Sequence, residues 1–135
     1  VVISCLKSSS HPKDGVMIYK IAYKDKSLVY ATDTEGYIGA DQKLALFARN
    51  TNLLIHDAQY TTEEYLNTCA PKQGYGHSTF DMALDTYKQS KAENLAFFHF
   101  DPNYNDEFLH EIEKHYTNSC KNCIVPKEGM EIVLR

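Results

Sequence analysis

Five side chains in this sequence have the types that metal or acid–base chemistry needs: His11, Asp33, Asp57, His77 and His99. Asp33, Asp57 and His99 each follow an apolar, strand-like run. In α/β sheets ligand sites gather just beyond the C-terminal ends of strands, although independent turns sit there too. Asp33 lies in Tyr30-Ala31-Thr32-Asp33-Thr34-Glu35-Gly36, a cluster of acids and hydroxyls that is either a turn or a site. A carboxylate at that place can bridge two cations. His99, within Phe97-Phe98-His99-Phe100, is either a buried neutral imidazole or a ligand for zinc, iron or nickel. His77 directly precedes a predicted helix start. It is a satisfied loop residue, a contact for an anionic substrate or a proton donor. Asp57 can hold the second nitrogen of a ligand histidine, which fixes tautomer and basicity, or accept backbone N–H groups in a turn. His11, ahead of Pro12 in a polar loop, reads alone as a surface residue.

The elements that must position these residues are legible from periodicity. Residues 2–6 read as a short strand. Residues 16–23 alternate as a strand, Asp25-Lys26 turns the chain, and residues 27–31 return. Residues 41–49 carry the helical stripe Leu44, Ala45, Phe47 and Ala48. Residues 52–56 form a strand, and Thr61 with Glu64 has the capping-box spacing of a helix start. Ser78 and Asp81 repeat that spacing before a predicted helix over 80–90. A strand over 95–98, a helix over 105–116 and a last strand over 131–134 complete the pattern. After the first hairpin, strands alternate with helices, so the expected class is α/β, with a mixed sheet and flanking helices. There is no internal repeat, low-complexity tract or linker.

The chain has 135 residues, enough for one domain with a core. Its 14 basic and 18 acidic residues give a net charge of -4, which leaves no evident overall footprint for nucleic acid. No apolar run approaches the length of a membrane span, and the opening residues do not read as a secretory leader. The cysteines Cys5, Cys69, Cys120 and Cys123 are expected as free thiols in a reducing, cytoplasmic setting. The Cys120–Cys123 spacing alone is weak ground for a zinc knuckle or a redox centre.

Taken in order, the motifs resemble the C-terminal half of a metallo-β-lactamase-fold hydrolase, on its phosphodiesterase and tRNA 3′-processing-nuclease side. The resemblance rests on His11-Pro12 before the hairpin, the aspartate segment 29–36, and Leu54-Ile55-His56-Asp57-Ala58-Gln59-Tyr60-Thr61. It continues through Gly76-His77-Ser78-Thr79, Phe98-His99-Phe100-Asp101-Pro102 and Glu128-Gly129-Met130-Glu131-Ile132. The resemblance implies a four-layer αβ/βα sandwich of which residues 1–135 are the C-terminal portion. It implies His11, Asp33 and His99 as ligands of two divalent ions, zinc first, with iron or manganese as alternatives. Asp33 would bridge the ions, which hold the attacking hydroxide. His77 would act near the leaving group and Asp57 would support the site or share proton transfer.

The HxHxDH cluster that such hydrolases carry in their N-terminal half is absent from this sequence. That portion is expected in cis or as a second chain, and this chain alone is expected to be largely inactive. The substrate expected is a small-molecule or nucleotide phosphodiester, with no membrane partner and a homo-oligomer left open. The alternative is a non-catalytic structural or partner-binding fragment of the same fold.

Overall fold

The computed structural model describes residues 1–134. The chain opens with strands β1 (Val2–Ser8), β2 (Val16–Tyr23) and β3 (Lys26–Ala31), joined as an antiparallel meander. Helix α1 (Gln42–Phe47) leads to β4 (Leu53–Asp57), and the short helix α2 (Thr62–Tyr65) to α3 (Phe80–Ser90). Then come β5 (Asn94–Phe98), α4 (Asp106–Thr117) and the two-residue β6 (Cys123–Ile124). The six strands form one mixed sheet in sequence order, with β3 to β6 parallel. The α/β class expected from the sequence is the one observed.

The period of two in β2 explains the layering. Ile18 is fully buried, and Met17, Tyr19, Ile21 and Tyr23 point to the other side. Across the sheet, Ile18, Val29, Leu54, Leu95 and Phe97 line one face and pack under the helices. Phe80 of α3 anchors that core, with ring centroids 5.4 Å from Phe97, 6.0 Å from Phe100 and 5.7 Å from Tyr116. The opposite face presents exposed apolar side chains. Register places Ile3 beside Ile21, Tyr19 beside Tyr30, and the Tyr30 ring 6.2 Å from Phe98. These side chains are all exposed. An uncovered sheet face this apolar departs from the layered burial that stabilises domains.

Local chemistry fixes the helix starts. Thr61 Oγ1 accepts from the Glu64 N–H and the Glu64 carboxylate accepts from the Thr61 N–H, so the predicted capping box forms in full. Asp41 and Asn105 cap α1 and α4 in the same manner. Helix α3 corrects one expectation: its cap is Thr79, whose side chain accepts from the Met82 N–H. Ser78 is used elsewhere, donating to the Thr34 carbonyl at 2.6 Å and accepting from the Gly36 N–H at 2.8 Å.

Two further expectations fail. The last strand does not form over 131–134. The parallel edge beside β5 is taken by Cys123–Ile124, leaving the terminal segment without a neighbouring strand to pair with. Free thiols are found at Cys5 and Cys69, but Cys120 and Cys123 are joined by a disulfide and are buried against the core. The tight turn between them brings the Cys123 N–H to the Cys120 carbonyl at 3.1 Å, which places the two side chains together. No helix among the described residues is long and apolar enough to cross a membrane.

Candidate metal and acid–base centre

Parallel pairing of β3, β4 and β5 aligns their C-terminal ends, and the chain leaves each end with a polar residue. Asp33 follows β3, Asp57 ends β4 and His99 follows β5. Asp33 and His99 both depart from the strand direction through left-handed backbone, at φ of 55° and 63°. Such a conformation costs a non-glycine residue about 1–3 kcal/mol and concentrates at functional sites. Here it turns the two side chains toward each other, with His99 Nε2 3.5 Å from Asp33 Oδ1.

His77 stands at the centre. Its ring stacks on His99 with centroids 4.9 Å apart and lies edge-on to His11 at 5.6 Å. Its Nδ1 is 2.9 Å from Asp57 Oδ2. Asp57 is fully buried, and its other oxygen accepts from the N–H groups of Ser78 at 2.9 Å and Gln59 at 3.3 Å. This carboxylate therefore does both things foreseen for it: it caps a turn and it holds a histidine. Partial burial disfavours charge on His77, but the hydrogen bond and charge of Asp57, with Asp33 and Glu35 behind, outweigh it. The net effect holds the His77 pKa above the ordinary imidazole value.

That balance gives a testable sign. In the metal-free protein Asp57→Asn will lower the His77 pKa, read from its ring protons by NMR titration. A raised folded-state pKa contributes stability that is present below about pH 6.5 and fades as pH rises through the folded value. The variant will lose that slope. A His77 titration unchanged by Asp57→Asn would remove Asp57 as its partner.

Two sets of side chains bring ligand atoms within 4.8 Å of one another: His11 with Asp33 and His77, and Asp57 with His77 and His99. The first fits a divalent cation, because imidazole and carboxylate donors converge there from partly exposed positions. In the second, both Asp57 oxygens are already held by His77 and backbone donors, so it is built as a hydrogen-bonded support. The ligand set expected from the sequence, His11, Asp33 and His99, is thus split: Asp33 reaches His11 in one group and His99 in the contact at 3.5 Å. His56, one residue from Asp57, is fully buried; desolvation lowers its pKa and keeps it neutral, and its Nδ1 faces the Asp57 carbonyl at 2.7 Å.

Sequence reasoning missed the residue that locks the His11 side. Glu35 accepts from Tyr65 Oη at 2.5 Å, from the Gly74 N–H at 2.7 Å and from the Gly76 N–H at 3.0 Å. Its own N–H donates to the Ser10 carbonyl at 3.1 Å, tying the His11 loop to the loop that carries His77. The repeated glycines at 74 and 76 were the one local signal of a close backbone approach.

The chain is similar in sequence and in fold to known proteins. No family model matches the chain. Ribonuclease Z of Pyrococcus abyssi is 33% identical over 108 residues, which cover 80% of this chain and 31% of that protein. Ribonuclease Z of Thermococcus sibiricus is 35% identical over 107 residues, 78% of this chain and 28% of that protein. The chain therefore spans about a third or less of the length of these curated relatives. Among solved structures, the metallo-β-lactamase fold protein YhfI of Bacillus subtilis superposes with a TM-score of 0.71 at 19% identity, covering 95% of this chain and 46% of that one. Human tRNase Z, short form, superposes with a TM-score of 0.69 at 19% identity, covering 98% of this chain and 42% of that one. The chain has the metallo-β-lactamase fold, and its sequence is similar to part of ribonuclease Z.

Proposed function

We propose that this chain is the C-terminal portion of a metal-dependent hydrolase that cleaves phosphodiester bonds. The observation that carries the reading is the convergence of His11, Asp33, His77 and His99 at the ends of neighbouring strands, with Asp57 buried behind them. His11, Asp33 and His99 would hold two divalent ions, with Asp33 shared between them. Zinc suits the imidazole and carboxylate donors best, and iron or manganese would be accepted. The ions, when bound, supply a water of lowered pKa and offset the charge that develops at phosphorus.

The chain's own residues do the rest. The Asp57 carboxylate fixes the His77 ring and takes the Nδ1–H, which leaves Nε2 as the nitrogen free to act. The raised pKa keeps His77 able to carry a proton near neutral pH. Protonated His77 would stabilise the departing oxygen and deliver its proton there. His99, stacked on His77, restrains the ring that carries this proton.

Three ligands do not complete two catalytic metal sites, each of which wants about three protein donors. The remaining donors belong to the complementary portion of the fold, in cis or as a second chain. The bare apolar face of the sheet, which ends at Phe98 beside His99, is the surface that such a portion would cover. RNA phosphodiesters, the substrates that the ribonuclease Z name implies for the relatives, are the first class to test, in the cytoplasm where nucleotides are met.

The test is reconstitution. The chain joined to a complementary half that carries HxHxDH is expected to hold two divalent ions per complex by elemental analysis. It is expected to hydrolyse bis-p-nitrophenyl phosphate, and the chain alone to do so at least about 100-fold more slowly. A reconstituted complex that binds two ions yet cleaves no phosphodiester would overturn the activity and favour a non-catalytic role.

A further inference from the structure

Next to His77 lies a cavity of about 470 Å³ that the chemistry above does not use. Tyr60, Tyr104 and Phe108 line it together with the carboxylates of Glu64 and Asp101, and with Lys72 and Asn103. Tyr60 links it to the centre: its ring lines the cavity and lies 6.2 Å from that of His77, and Asp101 follows His99 by two residues, with its N–H on the Gln59 carbonyl. The volume is that of a small-ligand pocket.

Its chemistry is specific. Tyr104 and Phe108 pack ring to ring at 4.4 Å, and Tyr104 is locked by Glu64 and the Thr61 N–H, so the aromatic wall is rigid. Phe108 is only half-buried, although it is apolar and belongs to α4. Lys72 is also half-buried, and its Nζ lies 5.7 Å from the Tyr60 centroid and 5.5 Å from that of Tyr75. Among the described residues it has no carboxylate within ion-pair distance. The Glu64 carboxylate in the same pocket is engaged by Tyr104 and the Thr61 N–H, which leaves Lys72, held near two rings, as the charge that an anion attached to a flat apolar group would meet. The Asp101 carboxylate, one oxygen of which is taken by Asn103, offers an acceptor to a ring amine.

We propose that this pocket binds a nucleoside monophosphate unit, with the base against Tyr104 and Phe108 and the phosphate on Lys72, beside the bond to be cleaved. The inference deepens the phosphodiesterase reading by giving its substrate a subsite, and it rests on that reading for the word substrate only. Aromatic stacking on a base has a known scale, so Phe108→Ala is expected to weaken binding about tenfold, and Lys72→Ala by a similar factor.

The experiment is an amide NMR titration of the metal-free chain with adenosine 5′-monophosphate, ribose 5-phosphate and the dinucleotide ApA. Saturable shifts at Tyr60, Lys72, Asn103 and Phe108 with adenosine 5′-monophosphate, weakened by Lys72→Ala, support the pocket. Binding of ribose 5-phosphate with equal affinity overturns it, because the aromatic wall would then contribute nothing. Shifts confined to the His11 side, or none, overturn it as well. Tighter binding of ApA than of the mononucleotide marks a strand as the source, and no gain marks a free nucleotide; both keep the assignment. Cobalt(II) titration of the same sample reads the metal centre separately, so either idea can fail without the other.

Discussion

Asp33→Ala is expected to strip the proposed complete hydrolase of metal while leaving the sheet intact. The carboxylate is partly exposed, lies beyond the last residue of β3, and its one ion-pair contact among the described residues is His99. Nothing in the core depends on it, so far-UV circular dichroism is expected to be unchanged. Metal affinity is another matter, because the same carboxylate would serve both ions. Loss of a group that merely supports a ligand already costs about 10–100-fold in affinity, and a shared ligand should exceed the upper figure. Elemental analysis after dialysis is the readout. Two ions per complex retained by the variant would refute the bridging role. Asp33→Gly is the companion: the same metal loss is expected, with backbone relief of about 1 kcal/mol, because glycine enters the left-handed region freely.

Gly76→Ala will unseat His11. A Cβ at position 76 would lie 2.5 Å from Pro12 Cδ, 2.6 Å from His11 Cδ2 and 3.1 Å from His11 Cα. The glycine also sits at a φ of +91°, which an alanine resists. Neither wall yields easily. The Gly76 N–H is held by Glu35, and the His11 loop is tied to the same glutamate through Ser10. Strain and overlap together should cost about 2–4 kcal/mol, measured as a shift of the urea midpoint at constant slope. The metal centre is expected to weaken in the same variant, because the loop that must move carries His11, a proposed ligand. Wild-type stability with an alanine at 76 would show that the two loops are not in contact.

The strand ends were legible in advance because they depend on local pattern. Short apolar runs at 27–31, 52–56 and 95–98 gave the parallel strands, and the polar residue after each run gave Asp33, Asp57 and His99. Features that depend on contacts between distant positions were not. Glu35 meets Tyr65, Gly74 and Gly76 only after the fold closes, so no window around Glu35 reveals its role. Ser78 had the spacing of a cap, but the Thr34 carbonyl and Gly36 N–H competed for its hydroxyl, and Thr79 took the cap. Lys72 carried no signal at all in the sequence, since its meaning comes from the two rings beside it. Residues 131–134 misled for the complementary reason: a short apolar run becomes a strand only where it meets an edge to pair with.

The left-handed backbone at Asp33 and His99 bears on how this protein would change in the laboratory. A library screened for heat resistance alone would drift toward glycine or asparagine at both positions, since each accepts that conformation at lower cost. The same library screened for turnover would hold the acid and the imidazole. Positions 33 and 99 should therefore separate the two screens more sharply than any core site, where thermal and catalytic selection ask for the same residue.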